Sequence, residues 1–364
     1  MREKIPAAVI GLGRIASLLE DDPFREKPCT HAGAIAARPD CFIAAGADLA
    51  EERRRLFAER YRCPVYADAA GMIRSHHPRI LVIATYPDSH EGYCRLAASL
   101  GVPVVICEKP LADTLKAARN IAGFHRKGPV KILTNHERRY SADYLKAKEL
   151  LDRKILGPLL SVRACLYMGK TRRILDVLWH DGTHLVDALM FLTDSRMRHQ
   201  KRWGAKLTGR GGTAFLAGYL ERNGPPALVP GFKNAGAPEP VPPAPGPAGP
   251  LPPKGIPFLI ELGAERDHLV FELEFSCVRG RLRIGNGIFE VWESGPSPYA
   301  EGFRSLKKTD ETFNGPTGYF AAMVADAVAC LRDQDRQPRS SAAEGLRVTE
   351  YLNSVKPWGQ RFVV

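Results

Sequence analysis

The segment that most restricts the fold lies near the start of the chain, where an apolar run, residues 7–10, leads directly into Gly11-Leu12-Gly13-Arg14-Ile15-Ala16. Gly11 permits the tight turn that must follow a strand, and Gly13 lacks the Cβ that would block a pyrophosphate. A helix that follows such a turn points free N–H groups at the phosphates. The pattern predicts a dinucleotide site that includes Arg14 and Ile15, and a glycine turn between any strand and helix is the structural alternative.

An acidic residue, Asp48, follows the second apolar run, residues 41–47. A carboxylate at the end of a second strand accepts hydrogen bonds from the adenosine ribose and repels a 2′-phosphate, which predicts NAD in preference to NADP. The basic run Arg53-Arg54-Arg55 opposes this preference. The interval between Gly11 and Asp48 exceeds the usual length of about 20 residues. We interpret the polar segment 20–30 as an insertion in the first crossover.

Apolar runs alternate with helical patterns through the first third of the chain. Because these runs are continuous, they predict a doubly wound parallel sheet that is buried on both faces. Ligands bind such a sheet at the carboxyl ends of its strands. The predicted strands are residues 7–10, 42–47, 80–85, 102–107 and 130–134, and helices are predicted over residues 51–61 and 92–100.

The pattern changes after Asn135, where short strands with short links predict an α+β domain with a mostly antiparallel open sheet. We therefore predict an α/β Rossmann domain over residues 1–136 and an α/β substrate-binding and oligomerisation domain over residues 137–364. The second part is predicted to contain helices over 140–151, 174–192, 317–331 and 342–354, strands over 158–168, 213–220, 258–262, 268–276, 281–284 and 288–291, and irregular chain over the basic segment 196–210.

A proline-rich stretch, residues 225–257, interrupts the second domain. It holds 13 of the 29 prolines in the chain. Proline donates no backbone hydrogen bond, so this stretch is not expected to form a central strand. We predict an inserted surface loop, with a ligand for proline-binding domains as the alternative.

Composition and charge limit the classes of partner. At 364 residues the chain exceeds the usual size of a single core. The net charge of +12 is spread over all predicted elements without an aromatic stripe, so we expect an anionic cofactor and substrate rather than nucleic acid. Because no apolar run is long enough for a bilayer and the N-terminus lacks a signal-peptide pattern, we expect no membrane partner and a cytoplasmic location.

Four motifs, taken in order, give the chain a resemblance to a known family. They are Gly11-Leu12-Gly13-Arg14-Ile15-Ala16, Thr85-Tyr86-Pro87-Asp88-Ser89-His90, Glu108-Lys109-Pro110 and Gly182-Thr183-His184-Leu185-Val186-Asp187. The chain resembles the glucose–fructose oxidoreductase, inositol dehydrogenase and MocA (Gfo/Idh/MocA) family over nearly its whole length. The resemblance implies a nicotinamide cofactor, an α/β C-terminal domain, sugar-like or polyol substrates, and homodimers or homotetramers formed through the C-terminal sheet.

The resemblance also assigns catalytic residues. It places Lys109 beside the nicotinamide and makes His184 the proton donor or acceptor at the reacting carbon. Many relatives carry an aspartate four residues before this histidine, where this chain has His180. Asp181 comes one residue later, and we expect it to orient a histidine or to bind substrate. A buried structural histidine is the alternative for either imidazole.

Further residues at the predicted strand ends match the family's cofactor site. The resemblance implies cofactor contacts from Thr85, Pro87, His90, Glu108 and Asn135. His90 is equally suited to bond the local backbone at a helix start. In the same region, Arg139 is suited either to bind an anionic or hydroxylated substrate or to form a salt bridge at a helix start.

The segment His180-Asp181-Gly182-Thr183-His184 also resembles the His-Glu-x-x-His motif of zinc proteases. A glycine lies between the two histidines, and Met190 stands where one class of these enzymes has a third histidine. The eight cysteines form no Cys-x-x-Cys pair. We therefore predict no metal site.

These features together predict an NAD(P)-dependent oxidoreductase that transfers a hydride between nicotinamide and a secondary alcohol or ketone of a sugar, cyclic polyol or derivative. Two alternatives remain open. One is NAD-dependent glycoside cleavage through transient oxidation, and the other is a non-catalytic dinucleotide-binding regulatory protein. The presence of both Lys109 and His184 favours catalysis.

Overall fold

The computed structural model describes residues 3–169, 173–204, 206, 210–222 and 255–355. These residues form two β-sheets with different strand directions. The predicted proline-rich loop, residues 225–257, lies outside the described residues as far as residue 254. Among the described helices, none has the length and apolar character needed to cross a membrane.

The first sheet has six parallel strands in the order β3-β2-β1-β4-β5-β6. Every residue of β4 and β5 is buried, as expected for strands covered on both faces. This is the doubly wound order, in which strands are added on one side of β1 as far as β3 and on its other side from β4 onwards, and the crevice at the carboxyl ends opens between β1 and β4. The elements are β1 (Ile5–Ile10), α1 (His31–Ala36), β2 (Cys41–Ala47), α2 (Glu51–Tyr61), β3 (Val65–Tyr66), α3 (Ala69–His76), β4 (Ile80–Ile83), α4 (His90–Ser99), β5 (Val104–Cys107), α5 (Leu115–Lys127) and β6 (Lys131–Thr134).

The connection between β1 and α1 differs from the sequence prediction. The glycine turn leads into one irregular helical turn and a 3-10 helix, Leu18–Asp21, and α1 begins only at His31. The polar segment between them is closed by Glu20, whose carboxylate accepts a 2.6 Å hydrogen bond from the Thr30 hydroxyl. The expectation that a regular helix follows the turn directly is therefore wrong, because the inserted segment separates the turn from the crossover helix.

The second sheet has eight strands in the order β14-β13-β12-β11-β7-β10-β9-β8. Strands β7 and β10 run parallel, and the other paired neighbours are antiparallel. Alternate residues of β11 are buried, so one face of the sheet covers the core. The elements are α6 (Ala142–Asp152), β7 (Leu159–Gly169), α7 (Ile174–His180), α8 (Gly182–Thr193), β8 (Ser195–Gly204), β9 (Thr213–Arg222), β10 (Ile256–Arg266), β11 (Val270–Cys277), β12 (Gly280–Gly285), β13 (Ile288–Pro296), β14 (Arg304–Lys308), α9 (Tyr319–Arg332) and α10 (Ala342–Val355).

One local prediction for this region is wrong. Residues 196–204 of the basic segment predicted to be irregular belong to β8, because Met197 is buried while the neighbouring arginines face outward and Arg198 pairs with Glu221 on β9. The region 174–192, predicted to be largely helical, forms α7 and α8, which meet at Asp181. Charge along one face does not prevent a strand when the other face is apolar.

The boundary of the proline-rich stretch also differs. Pro257 lies in β10 and pairs with Tyr219 of β9. Pairing of β10 with its other neighbour, β7, begins one residue later at Phe258. The proline therefore stands near the start of the strand, a position in which its missing N–H is tolerated.

The last two helices return to the first sheet. Phe320 and Met323 of α9 belong to the same buried cluster as Val9 of β1. The Tyr140 hydroxyl donates a 3.0 Å hydrogen bond to Asp326 of α9, and α10 packs beside both α5 and α8. These contacts join the region after β6 to the first sheet, beside the crevice at the carboxyl ends of its strands.

Candidate active site

A cavity of about 670 Å³ opens at the carboxyl ends of β1, β2 and β4. It lies where the strand order reverses, the usual ligand position in this architecture. Predicted site residues that line it are Gly11, Gly13, Arg14, Ile15, Asp48 and Thr85. The structure thus brings the glycine turn, the acid of the second strand and the Thr85 turn into one cavity.

The two glycines of the turn serve different purposes. Gly11 has a φ of +83°, and a Cβ there would lie 2.6 Å from the Ala84 carbonyl oxygen, so the fold itself requires glycine. A Cβ on Gly13 would meet only the Arg53 guanidinium, at 3.6 Å. The space above Gly13 is therefore open towards the cavity, which fits the close approach of a pyrophosphate.

The Asp48 carboxylate is fixed by backbone groups at the cavity wall. It accepts 2.8 Å hydrogen bonds from the Leu12 and Ala50 N–H groups, and its side chain is only 7% exposed. Arg53 Nη1 lies 3.7 Å from this carboxylate and remains half exposed, whereas Arg54 is occupied by the carbonyl oxygens of Asp48 and Leu49. Only Arg53 of the basic run therefore combines a place in the cavity wall with contact to this carboxylate.

Two large side chains in the cavity wall were missed by sequence reasoning. Leu49 is 84% exposed and Tyr86 is 68% exposed, although both line the cavity. Each follows a polar residue, Asp48 or Thr85, that the motifs did identify. Their position immediately after these two residues is the feature that could have identified them.

Pro87 and His90 are buried beneath the turn rather than lining the cavity. The His90 ring nitrogens lie 3.1 Å from the Thr85 carbonyl oxygen and 3.2 Å from that of Leu111. Burial lowers the pKa of His90, which favours the neutral ring. This geometry fits the alternative in which His90 holds the local backbone at a helix start.

Glu108 forms a buried network at the end of β5. Its Oε1 atom lies 2.7 Å from His31 Nε2 and also accepts a hydrogen bond from the Asn135 amide. Burial alone would raise the pKa of Glu108, but His31, Lys109 and Asn135 together lower it below the ordinary value. Sequence reasoning missed His31, which lies far from Glu108 in the chain but at the start of the neighbouring helix α1.

Lys109 follows Glu108 in the chain, and its side chain reaches from the end of β5 to the end of α7. Its Nζ donates a 2.9 Å hydrogen bond to the His180 carbonyl oxygen, at the end of α7. His184 follows in the first turn of α8, and its backbone N–H donates to the Asp181 carbonyl oxygen at 3.1 Å. Lys109 therefore meets the α7–α8 junction that carries both Asp181 and His184.

The imidazole of His184 is held in its neutral form. Burial, followed by the charges of Lys109, Arg138 and His136, lowers its pKa well below the usual histidine range. Its Nδ1 atom is buried and has no hydrogen-bond partner among the described residues. A neutral imidazole has one nitrogen without a proton and can accept the proton of a bound hydroxyl group there.

Asp187 lies in α8, one turn after His184, and is fully buried. Both of its carboxylate oxygens accept from Arg139 Nε at 2.9 Å, and His136 Nδ1 lies 3.0 Å from Oδ1. Arg139 is thereby occupied in the salt bridge named as one alternative from sequence. The neighbouring Arg138 instead stacks on Phe271, with its guanidinium carbon 3.8 Å from the ring centroid.

The motif His180-Asp181-Gly182-Thr183-His184 spans the junction between two helices rather than one continuous helix face. Within the described residues, no group of three or more His, Cys, Asp or Glu side chains is arranged to hold a metal ion. The two histidines of this segment are therefore not placed as they are on a zinc-protease helix.

Comparison with known proteins finds similarity to one family over the first part of the chain. Residues 5–136 match the model of the Gfo/Idh/MocA family, described as an oxidoreductase family with an NAD-binding Rossmann fold. The chain is 26% identical over 208 residues to an inositol 2-dehydrogenase/D-chiro-inositol 3-dehydrogenase of Shouchella clausii, covering 54% of this chain and 55% of that protein. It is 31% identical over 100 residues to an inositol 2-dehydrogenase of Klebsiella pneumoniae, covering 27% and 29%. The chain thus spans about half the length, or less, of these two relatives.

Solved structures share the fold over almost the whole chain. A dehydrogenase from Chromobacterium violaceum has a TM-score of 0.72 at 15% identity, covering 98% of this chain and 95% of the other. A 3-ketoreductase variant from Actinomadura kijaniata, solved with TDP-benzene and NADP, has a TM-score of 0.68 at 16% identity, covering 97% of each chain. The similarity to the Gfo/Idh/MocA oxidoreductase family therefore lies in residues 5–136, and these solved structures show that the rest of the chain shares the fold.

Proposed function

We propose that the protein is an NAD(P)-dependent dehydrogenase that transfers a hydride between nicotinamide and a secondary alcohol or ketone of a sugar-like or cyclic polyol substrate. The observation that carries this proposal is the meeting of Lys109, at the end of β5, with the α7–α8 junction that holds a neutral His184. The inositol dehydrogenases among the relatives support the substrate class.

The cavity wall offers the groups that a dinucleotide needs. The open space at Gly13 would receive the pyrophosphate, and the Asp48 carboxylate would accept from ribose hydroxyls. Leu49 and Tyr86 would cover the flat base, since both expose apolar surface in the wall. When bound, the nicotinamide ring supplies the acceptor or donor of the hydride.

The residues at the α7–α8 junction would handle the hydroxyl proton. In the direction of oxidation, the substrate O–H bond breaks and its proton passes to the neutral imidazole of His184, while the hydride leaves the carbon that bears this oxygen and C=O forms. The Lys109 ammonium donates a hydrogen bond to the substrate oxygen and stabilises the negative charge that develops there. Reduction of a ketone reverses these steps, with His184 returning the proton.

The proposal is tested with purified protein and a panel of inositols, aldoses and sugar acids with NAD or NADP, in which the absorbance of reduced nicotinamide is followed. We expect formation of reduced cofactor with at least one cyclic polyol or sugar derivative. Cofactor binding without turnover of any compound would favour the regulatory alternative. Product release from a glycoside without net reduction of cofactor would favour glycoside cleavage.

We propose that NAD is preferred over NADP. A 2′-phosphate near Asp48 would place like charges together, and at about 4 Å with an effective dielectric near 20 each unit-charge pair repels by roughly 4 kcal/mol. If screening leaves about 2.7 kcal/mol of this repulsion, NAD is already favoured over NADP by 100-fold. Arg53 opposes this repulsion because it lies 3.7 Å from the same carboxylate.

We predict that Asp48→Ser shifts the ratio of kcat/KM values for NAD and NADP by about 100-fold towards NADP. Arg53→Ala is the matched variant, and it should shift the ratio in the opposite direction by removing the nearest cation. Equal kcat/KM values for the two cofactors in the wild-type protein would mean that Arg53 outweighs Asp48.

Because His184 is buried, we expect a different pH dependence of kcat/KM from the one that the residue types alone suggest. A proton-transfer pair of this type predicts an ionisation near neutrality, but burial, together with the charges of Lys109 and Arg138, holds the pKa of His184 well below the ordinary value of about 6.5. The neutral base is lost only as the pH falls through this lowered pKa. We therefore expect kcat/KM for oxidation to remain high below pH 6.5.

The measurement is the pH profile of wild type and His184→Gln, with folding followed by circular dichroism at each pH. The acidic decline should disappear in the variant. A wild-type decline centred near the ordinary histidine pKa would contradict this prediction.

We further propose that the protein forms a homodimer or homotetramer through the open face of the second sheet. Strands β11, β12 and β13 carry an ion-paired row on this sheet, in which Arg283 contacts Glu272 and Glu290. Light scattering after size-exclusion chromatography tests the proposal, and a monomer at micromolar concentration would contradict it.

A further inference from the structure

The second cation at the substrate side of the site is Arg138. Thr134 of β6 pairs with Cys107 of β5, so residues 135–138 leave the sheet beside Lys109. His136 and Arg139 contact Asp187, which lies one helical turn after His184. Arg138 is therefore held between the end of the first sheet and the start of α8.

Arg138 is largely buried, although its hydrogen-bond contacts to other side chains are few and long. Its side chain is 14% exposed and stacks on the Phe271 ring. Its polar contacts are long, at 3.3 Å to the adjacent Glu137 and 3.4 Å to the Asn286 side chain. A guanidinium group has five donors and is normally paired when buried, so donor capacity remains for an acceptor.

Glu137 and Asp143 are the carboxylates that act on Arg138, and the other acids near the site are already engaged. Glu108 serves His31 and Asn135, while Asp187 serves Arg139 and His136. Asp181 also takes part in an interaction of its own. In the described part of the chain, the ammonium of Lys109 has a neutral carbonyl oxygen as its hydrogen-bond acceptor. Lys109 and Arg138 thus place two positive charges on one side of the site. Glu137 pairs with Arg138 at 3.3 Å, and a negatively charged ligand can compete with this carboxylate for the guanidinium.

We propose that the substrate carries an anionic oxygen group, a carboxylate or a phosphate monoester on a sugar or polyol frame, and that Arg138 binds this group. The inference rests on the proposed dehydrogenase function and specifies its substrate class. Arg139 cannot take this role because its guanidinium is bound to Asp187. A planar guanidinium recognises both groups with paired, charge-assisted hydrogen bonds.

The test compares matched compounds that differ in one group: D-glucose, D-glucuronate and D-glucose 6-phosphate, together with myo-inositol and its monophosphate. Turnover is measured through reduced nicotinamide, and binding is measured separately by the thermal shift in the presence of NADH. We expect an anionic member to exceed its neutral counterpart by at least about 10-fold in kcat/KM, with a preference that falls as salt is added. The glucuronate and phosphate arms identify which anion is accepted.

Four variants assign the effect to Arg138. Arg138→Gln should lower kcat/KM for the anionic member by about 100-fold, mainly through KM, and change the neutral member far less. Arg138→Lys should restore part of the loss, and Glu137→Gln should strengthen anion binding because it removes a competing carboxylate. Arg153→Gln removes an equal charge from an exposed pair on the opposite end of α6 and should leave the preference unchanged.

The outcomes separate this inference from the function on which it rests. Turnover of neutral compounds with no anionic preference, or an equal loss for both members in Arg138→Gln, would overturn the inference and leave the dehydrogenase intact. Arg138-dependent binding of a sugar acid or phosphate without any turnover would retain the inference and reject the dehydrogenase. If Arg138 variants fail to fold, an unchanged anion affinity in Glu137→Gln would overturn the inference.

Discussion

Replacing Lys109 or His184 with alanine is expected to lower kcat by about 10²–10⁴-fold, the usual contribution of a positioned acid or base. Lys109 Nζ lies at the α7–α8 junction, bound to the His180 carbonyl oxygen, and its charge contributes to the low pKa of His184. Neither side chain lines the dinucleotide cavity, so NAD should still bind. The measurement is kcat on the best panel substrate, with NAD affinity determined by calorimetry.

The two residues should behave as one unit. If proton removal and stabilisation of the substrate oxygen occur in one transition state, the double variant should lose far less than the sum of the two single effects, expressed as free energies. Arg153→Gln provides a folded control with an altered surface charge. Near-normal turnover in His184→Ala would contradict the assignment, and Asp181 or His180 would then become the residue to test.

Loss of the Asp187 carboxylate should have the largest effect on stability. Asp187→Ala would leave Arg139 and His136 buried with no acceptor at this position, and removing one partner of a buried ion pair typically costs about 3–5 kcal/mol. Asp187→Asn retains acceptor capacity and should cost less. The free energy of unfolding is measured in urea, with Asp152→Ala, at a half-exposed surface pair, expected to stay within about 0.5 kcal/mol of wild type.

The pH dependence gives this prediction a second test. Burial alone would raise the pKa of Asp187, but Arg139 and then His136 lower it below the ordinary value. A carboxyl group with a lowered folded-state pKa stabilises the fold above its unfolded value of about 3.9 and loses this contribution as the pH falls through the folded value. The stability difference between wild type and Asp187→Asn should therefore shrink at strongly acidic pH. An unchanged unfolding free energy in Asp187→Ala would contradict this account.

The strands of the first sheet could be predicted because the pattern that marks each strand lies within its own residues. Continuous apolar runs mark strands buried on both faces, and the strand ends at Gly11, Asp48 and Thr85 meet in one cavity as the topology requires. The basic strand β8 was missed because its charge obscured the alternation of Met197 with outward-facing arginines. Composition is a weaker guide than periodicity for such a strand.

The details of the active site depended on contacts that no local pattern contains. His31 meets Glu108 only because the fold brings the first residue of α1 to the end of β5, and the inserted segment obscures the start of that helix in the sequence. Arg138 and Arg139 are adjacent and chemically identical, yet one faces Phe271 and the other Asp187. Sequence reasoning named Arg139 as a possible substrate ligand because direction around a short 3-10 turn cannot be deduced from residue type.

Direct transfer of deuterium from substrate carbon to cofactor tests the central proposal most directly. The protein is incubated with NAD and the panel compounds deuterated at their ring carbinol carbons, and the recovered cofactor is analysed by mass spectrometry. We expect reduced cofactor that carries deuterium from the substrate carbon, formed by the wild type and strongly diminished in His184→Ala. Saturable binding of NAD with no deuterated cofactor from any compound would contradict it.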